Sequence, residues 1–216
     1  MSQTQLETRN LPIETDLREL ARDIVRRAVT GGASAAECVI REGDEFSTVV
    51  RLGQVETLKE SGSKAIGMRV FYGQRAASTY SSDFSRDGLD RMVKSALDLA
   101  KITSEDPFGG IPEASQLGSI SGDLDLYSAD VYSLPGEERI SYARRAEKAA
   151  LDYDPRIKNS EGGSFEAATG HKILANSHGF VGEYQRSYCS LAAVPIAQSD
   201  DGAKQRDAAC TTEANQ

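Results

Sequence analysis

Two histidines, His171 and His178, are the only ones in the 216-residue chain. Both lie in NSEGGSFEAATGHKILANSHGF, residues 159–180, together with Glu161, Glu166 and the pair Gly162–Gly163. Imidazoles and carboxylates grouped in this way could hold a metal or move protons. A zinc centre needs three or four ligands converging at about 2 Å. His171 and His178 stand seven residues apart, which is not the i, i+4 spacing of a helical ligand pair. Along one continuous strand an odd spacing would put them on opposite faces. Each borders a predicted turn, TGH or SHG, and no HExxH or HExxxH string occurs. The pattern reads as turn or surface histidines.

The other chemistry-bearing residues are similarly incomplete. Glu161 and Glu166 flank a glycine-rich bend and read as solvated acids. Gly162–Gly163 could cradle a phosphate, but a phosphate loop joins a strand to a helix N-terminus, whereas this pair leads into another strand. A bulge or sharp turn is expected there. There is no GxSxG elbow for a serine nucleophile. Cys38 and Cys189 read as small core residues, with nothing nearby to activate a thiol.

The elements that position these residues are legible from periodicity. Leu17, Leu20, Ala21, Ile24, Val25 and Ala28 form one stripe of a helix capped by Thr15 and stopped by Gly31–Gly32. The period then changes to two. Phe46, Thr48, Val50 and Leu52, then Ile66, Met68, Val70 and Tyr72, predict a meander of antiparallel strands broken at EGD, LGQ, ESGS and YGQ. A second helix, capped by Ser85, carries Leu89, Met92, Val93, Ala96, Leu97 and Ala100 and is expected to lie beside the first on the dry face of the sheet.

A long Gly-, Pro- and Ser-rich loop spans about 103–135. A third helix follows, with Ile140, Ala143, Ala146, Ala150 and Leu151 inward and Pro155 at its end. A second β-rich segment, broken at TG and HG, completes the pattern. The expected class is α+β: an antiparallel sheet with helices packed on one face, followed by a further helix and a second β-rich segment. Residues 1–14 read as a flexible leader, 15–202 as the α+β domain and 203–216 as an atypical polar tail.

Composition bounds the function. With 25 Lys and Arg against 33 Asp and Glu, the net charge is −8 and the pI about 4.9. A nucleic-acid binder needs a basic face to displace counterions from phosphates, and here basic and acidic residues are interspersed. No apolar run approaches the ~20 residues of a membrane span. The polar start is not a secretory signal. Three scattered cysteines, Cys38, Cys189 and Cys210, suit a reducing compartment. The expectation is a cytoplasmic protein with no nucleic-acid or membrane partner.

Several long strings carry a more specific signal: VETLKESGSKAIGMRVFYGQRAASTYSSDFS, ALDLAKITSEDPFGGIP, DLDLYSADV, RAEKAALDYDPRIKNSEGGSF and KILANSHGFVG. From about Leu17 to about Asp201 the chain resembles the N-terminal half of the TldD/PmbA family, grouped with the U62 peptidases and once labelled modulators of DNA gyrase. The T-S-x-D-P-F and N-x-E-G-G-S-F…N-S-H-G strings resemble the PmbA (TldE) branch.

The resemblance implies cytoplasmic proteins of roughly twice this length, with an α+β N-terminal domain and a largely β C-terminal domain. It implies a TldD–PmbA heterodimer that digests unfolded peptides and processes a microcin precursor and an antitoxin. It implies that zinc sits on an HExxxH helix of the TldD-like partner, with no cofactor in this chain. The family's C-terminal domain is expected to be missing, as in a truncated or split frame, because AACTTEANQ does not resemble the family continuation. The implied role is that of a non-catalytic partner subunit, with Gly162, Gly163 and His178 as peptide or subunit contacts. Self-association, a gyrase-binding regulator and an inactive gene fragment are the alternatives.

Overall fold

The computed structural model describes residues 16–118 and 124–213. The expected leader, 1–14, and the proposed cap Thr15 lie outside the described residues. Among these, the element order is α1 (Leu17–Thr30), β1 (Ala35–Arg51), β2 (Gln54–Tyr72), β3 (Arg75–Ser81), α2 (Arg86–Ala100), α3 (Asp130–Ser133), α4 (Gly136–Asp152), β4 (Ile157–Asn176), β5 (Val181–Gln198), β6 (Lys204–Arg206) and β7 (Ala209–Glu213). The strands form a seven-stranded antiparallel sheet in the order β3-β2-β1-β4-β5-β6, with β7 also paired to β5. The fold is α+β, as the periodicity predicts.

Three strands are far longer than expected, for a physical reason. EGD, ESGS and TG do not break the sheet: β1 runs through residues 42–44, β2 through 60–63 and β4 through 169–170. Only LGQ, YGQ and HG mark reversals. The interior glycines serve close approach instead. A Cβ on Gly43 would overlap the Thr169 carbonyl oxygen, and one on Gly62 would sit 2.9 Å from an Asp44 carboxylate oxygen.

The chain divides into two compact units, and the expected span 15–202 contributes to both. Residues through Ile40, Ile66–Gly118 and Ile173–Gly182 form the first; Arg41–Ala65, 119–172 and Glu183 onward form the second. In the first unit Asp16 caps α1, its side chain accepting from the backbone N–H of Arg18 at 2.9 Å and of Glu19. Ser85 caps α2 as expected, accepting from Gly88 N at 3.1 Å. The two predicted stripes face one core: Ile24 and Val25 of α1 and Met92 and Val93 of α2 pack with Cys38, Ile40, Met68, Val70 and Ile173 from the strands. Burial pushes the Cys38 thiol up to about 12, so this cysteine is an inert core residue.

The second unit is built around α4, and its buried face differs from the predicted stripe. Ile140 and Ala143 are buried as expected and Ala146, Ala150 and Leu151 are half-buried, but the fully buried face also holds Arg139 and Glu147. Arg139 lies between two rings, 4.7 Å from the centroid of Phe46 and 4.4 Å from that of Tyr132, and donates to the Tyr132 carbonyl. Glu147, 2% exposed, accepts from Leu52 N at 2.7 Å, from Gly53 N at 2.9 Å and from the Ser160 hydroxyl. Gly163 brings β4 against α4: a Cβ there would overlap the Ala143 carbonyl oxygen and lie 2.8 Å from Glu147 N. Gly162, at φ +122°, packs on Val49 and Val50.

Residues foreseen as a polar tail contain β6 and β7, which pair with β5 in the registers Ala197↔Gln205 and Leu191↔Thr211. Both strands are exposed on both faces, so no apolar alternation announces them. The long loop holds a 3-10 turn at Ala114–Gln116 as well as α3.

Two stability predictions follow from these close approaches. Gly163→Ala lowers the unfolding free energy by about 2–4 kcal/mol in urea titration, whereas Gly136→Ala, at the open first turn of α4 with no atom near its Cβ, stays within about 1 kcal/mol of the parent or gains. Leu52 and Gly53 both have positive φ, 48° and 76°, the geometry of a two-residue hairpin that favours Asn-Gly. Leu52→Asn therefore raises the thermal midpoint, by the equivalent of about 1 kcal/mol.

Candidate functional site

β4 lies between β1 and β5 in the sheet, so a side chain on β4 can reach both neighbours. His171 does so within the second unit. Its Nδ1 is 3.0 Å from Glu42 Oε1 on β1, and its Nε2 is 2.7 Å from Glu183 Oε1 on β5. Lys64 Nζ on β2 stands 3.2 Å from the other oxygen of Glu42. The imidazole is 19% exposed and its two carboxylates about a third exposed, so these charges are only partly screened.

The charges set each other's protonation. Burial pulls the imidazole down, but the hydrogen bonds to Glu42 and Glu183, with their charges, outweigh it and leave the His171 pKa above its ordinary 6.5. Burial pushes the Glu42 carboxyl up, yet His171 and Lys64 overcome this and hold it below its ordinary 4.5. A cavity of about 390 Å³ opens beside the cluster, with Gly43, Gly62 and Gly170 from three neighbouring strands in its lining.

His171 is thus a half-buried strand residue rather than the turn or surface histidine expected. His178 does sit in the turn after β4, exposed, with its Nδ1 2.8 Å from the Pro112 carbonyl oxygen. The turn is fixed by Asn176, whose side-chain oxygen accepts from His178 N at 3.0 Å and Phe180 N at 3.1 Å. Gly162 and Gly163 are buried in β4 against their packing partners. His178 belongs to the first unit and the two glycines to the second. Glu161 is exposed and pairs with Arg206 at 2.8 Å; Glu166 is exposed.

Glu42, Lys64 and Glu183 went unmarked in the sequence. Glu42 lies 129 residues from His171 and Glu183 lies 12 away, so no local spacing could join them. A glycine in each of three strands was the available signal, and it reads as a turn until the strands are seen to continue.

A zinc ion does not fit this donor set. Glu42 and Glu183 occupy opposite nitrogens of one ring, so their oxygens diverge rather than meet at a common point at about 2 Å. No group of three or more metal-ligating side chains is formed among the described residues. Nor is the ring placed as a free general base, since both nitrogens already face a carboxylate.

The fold and the sequence match one class of protein. Residues 36–100 match the family described as PmbA/TldA metallopeptidase domain 1, and residues 129–214 match the PmbA/TldA metallopeptidase central domain. The match to the central domain includes the two short strands at the end of the chain. The chain is 36% identical over 200 residues to Metalloprotease PmbA of Escherichia coli O157:H7, covering 89% of this chain and 44% of that protein. It is 34% identical over 188 residues to Metalloprotease PmbA homolog of Haemophilus influenzae, covering 87% and 41%.

Two solved structures share the fold. A Bacteroides thetaiotaomicron protein bearing the name modulator of DNA gyrase superposes with TM-score 0.85 at 22% identity, over 93% of this chain and 46% of that one. TldE from Thermococcus kodakarensis superposes with TM-score 0.78 at 12% identity, over 89% and 42%. The chain belongs to the PmbA/TldD family. It spans less than half the length of the curated relatives it matches.

The glycine row gives a local prediction. Gly43→Ala forces β1 and β4 apart beside His171, which costs about 1–3 kcal/mol and shifts the His171 ring resonances while leaving those of His178 in place; a histidine-selective NMR spectrum with a urea titration reads both.

Proposed function

We propose that this chain supplies the first and central domains of a PmbA-type subunit. In this reading the subunit is the non-catalytic half of a cytoplasmic heterodimer with a TldD-like zinc peptidase, and the pair acts on unfolded peptides. The observation that carries the reading is the ordered match to both family domains together with 36% identity to a PmbA protein over most of the chain. The donor geometry supports a non-catalytic role: the best-placed histidine has each nitrogen against a carboxylate of its own chain. Zinc then belongs to the partner.

Gly162 and Gly163 act through the wall they shape, by letting α4 and β4 approach, and exposed His178 acts by direct subunit contact. The acidic surface suits a protein or peptide partner rather than nucleic acid. No helix among the described residues is long and apolar enough to cross a membrane.

Co-expression tests this. The chain, supplied with the remaining half of a PmbA-type subunit and a TldD-like subunit, co-elutes with the latter, and peptide cleavage requires the TldD-like chain. Stoichiometric zinc with peptide cleavage by this chain alone overturns the reading, as does failure to associate. A second reading, a regulator that binds gyrase, has the name of the Bacteroides relative in its favour. Capture of gyrase without a TldD-like subunit establishes it instead.

A further inference from the structure

The arrangement around His171 has a chemical requirement of its own. An ionised carboxylate only accepts hydrogen bonds, and a neutral imidazole donates from one nitrogen alone. With Glu42 at 3.0 Å from Nδ1 and Glu183 at 2.7 Å from Nε2, both contacts are hydrogen bonds only when both ring nitrogens carry hydrogen. Remove one proton and a ring lone pair faces a carboxylate lone pair, inside a partly buried site where that repulsion is weakly screened.

The geometry points to a proton-operated clasp: protonated His171 ties β1 to β5 across β4 in the second unit, and loss of one proton breaks one of these two side-chain ties beside the adjacent cavity. The step is a simple one, in which solvent takes or returns a proton at a ring nitrogen and no other bond changes. The clasp is separate from the peptidase reading and does not depend on it.

The surroundings agree in sign. On β1, Glu42, Asp44 and Glu45 outnumber Arg41 around the two cavities that share His171; β2 contributes Lys64, β4 itself Lys172, and β5 Glu183 and Arg186, with the Tyr127 and Tyr184 phenols completing the lining. Lys64 is engaged by Glu42, and Lys172 stands 6.0 Å from the Tyr184 ring centroid. The carboxylates in direct contact with the ring therefore dominate its protonation. The lining of this cavity is mostly polar and charged, so here the charged bridge acts where apolar contacts act elsewhere in the unit.

Linkage fixes the pH window. His171 titrates above 6.5 in the folded chain, so its contribution to stability is complete below pH 6.5 and is lost as pH rises through the raised value. Glu42 titrates below 4.5, so its contribution is complete above pH 4.5 and is lost as pH falls through the lowered value. Both groups carry the charge the clasp needs in the range between the two folded-state values.

The test uses the full chain. Because the protein has two histidines, His178→Gln leaves His171 as the single imidazole in an NMR titration. The expected result is a ring pKa above 6.5, with both nitrogens protonated below it; a value at or below 6.5 overturns the proposal. In parallel, the urea midpoint of the parent falls from pH 6.5 to about 8.5, below the ordinary ranges of Tyr and Lys at about 10. His171→Gln flattens that slope, and Glu183→Gln lowers the ring pKa. An unchanged slope in His171→Gln overturns the clasp. Should that variant not fold, the titration of the imidazole, with and without Glu183→Gln, decides the matter alone.

Discussion

The second unit depends on one buried carboxylate. Glu147 takes the backbone N–H groups of Leu52 and Gly53 and the hydroxyl of Ser160. Leu52 sits at a positive φ that a leucine adopts at a cost, and its side chain, 56% exposed, recovers little by burial. The turn between β1 and β2 is held from outside, by charge-assisted hydrogen bonds from α4. The same contact requires α4 to lie close to β4, which Gly163 allows. Turn, helix and strand are thus one arrangement: removing the carboxylate would leave two part-buried backbone donors without this acceptor, and adding a Cβ at residue 163 would lift the helix that carries the carboxylate.

Helices were the legible part of this sequence. α1 and α2 show an apolar stripe with polar flanks, and their buried residues are those the 3.6 period selects. α4 was read less well because two of its buried positions are charged, Arg139 and Glu147. Glu147 is satisfied by a hairpin turn far away in sequence; Arg139 lies between the Phe46 and Tyr132 rings and donates to the Tyr132 carbonyl, with its Nε left unpaired. Hydrophobic pattern cannot report burial that is made acceptable by hydrogen bonds.

Strand lengths failed for a related reason. Glycine is a turn signal when the chain must reverse, as at Gly53 and Gly73, both at positive φ. At Gly43, Gly62 and Gly163 it marks where another backbone or a carboxylate comes too near for a Cβ. The two uses look alike in one dimension. Taking Gly43, Gly62 and Gly170 as turns cuts β1, β2 and β4 beside the Glu42–His171–Glu183 bridge. The site was missed by the same misreading that shortened the strands.

β4 explains why a strong sequence signature need not mark chemistry. Along one strand, Ser160 donates to Glu147, Gly162 and Gly163 admit β1 and α4, Gly170 and His171 border the cavity, and Asn176 closes the turn. Each residue in NSEGGSF…NSHGF whose contacts are fixed in this way answers to a neighbouring backbone or side chain of the same chain. A string of this kind is specific because close approach tolerates few side chains. Catalysis needs donors that converge on a vacant point, and the contacts of β4 converge on the chain itself. That difference is what separates identifying the family, which the strand does well, from locating a reaction, for which the strand offers a proton and no open ligand.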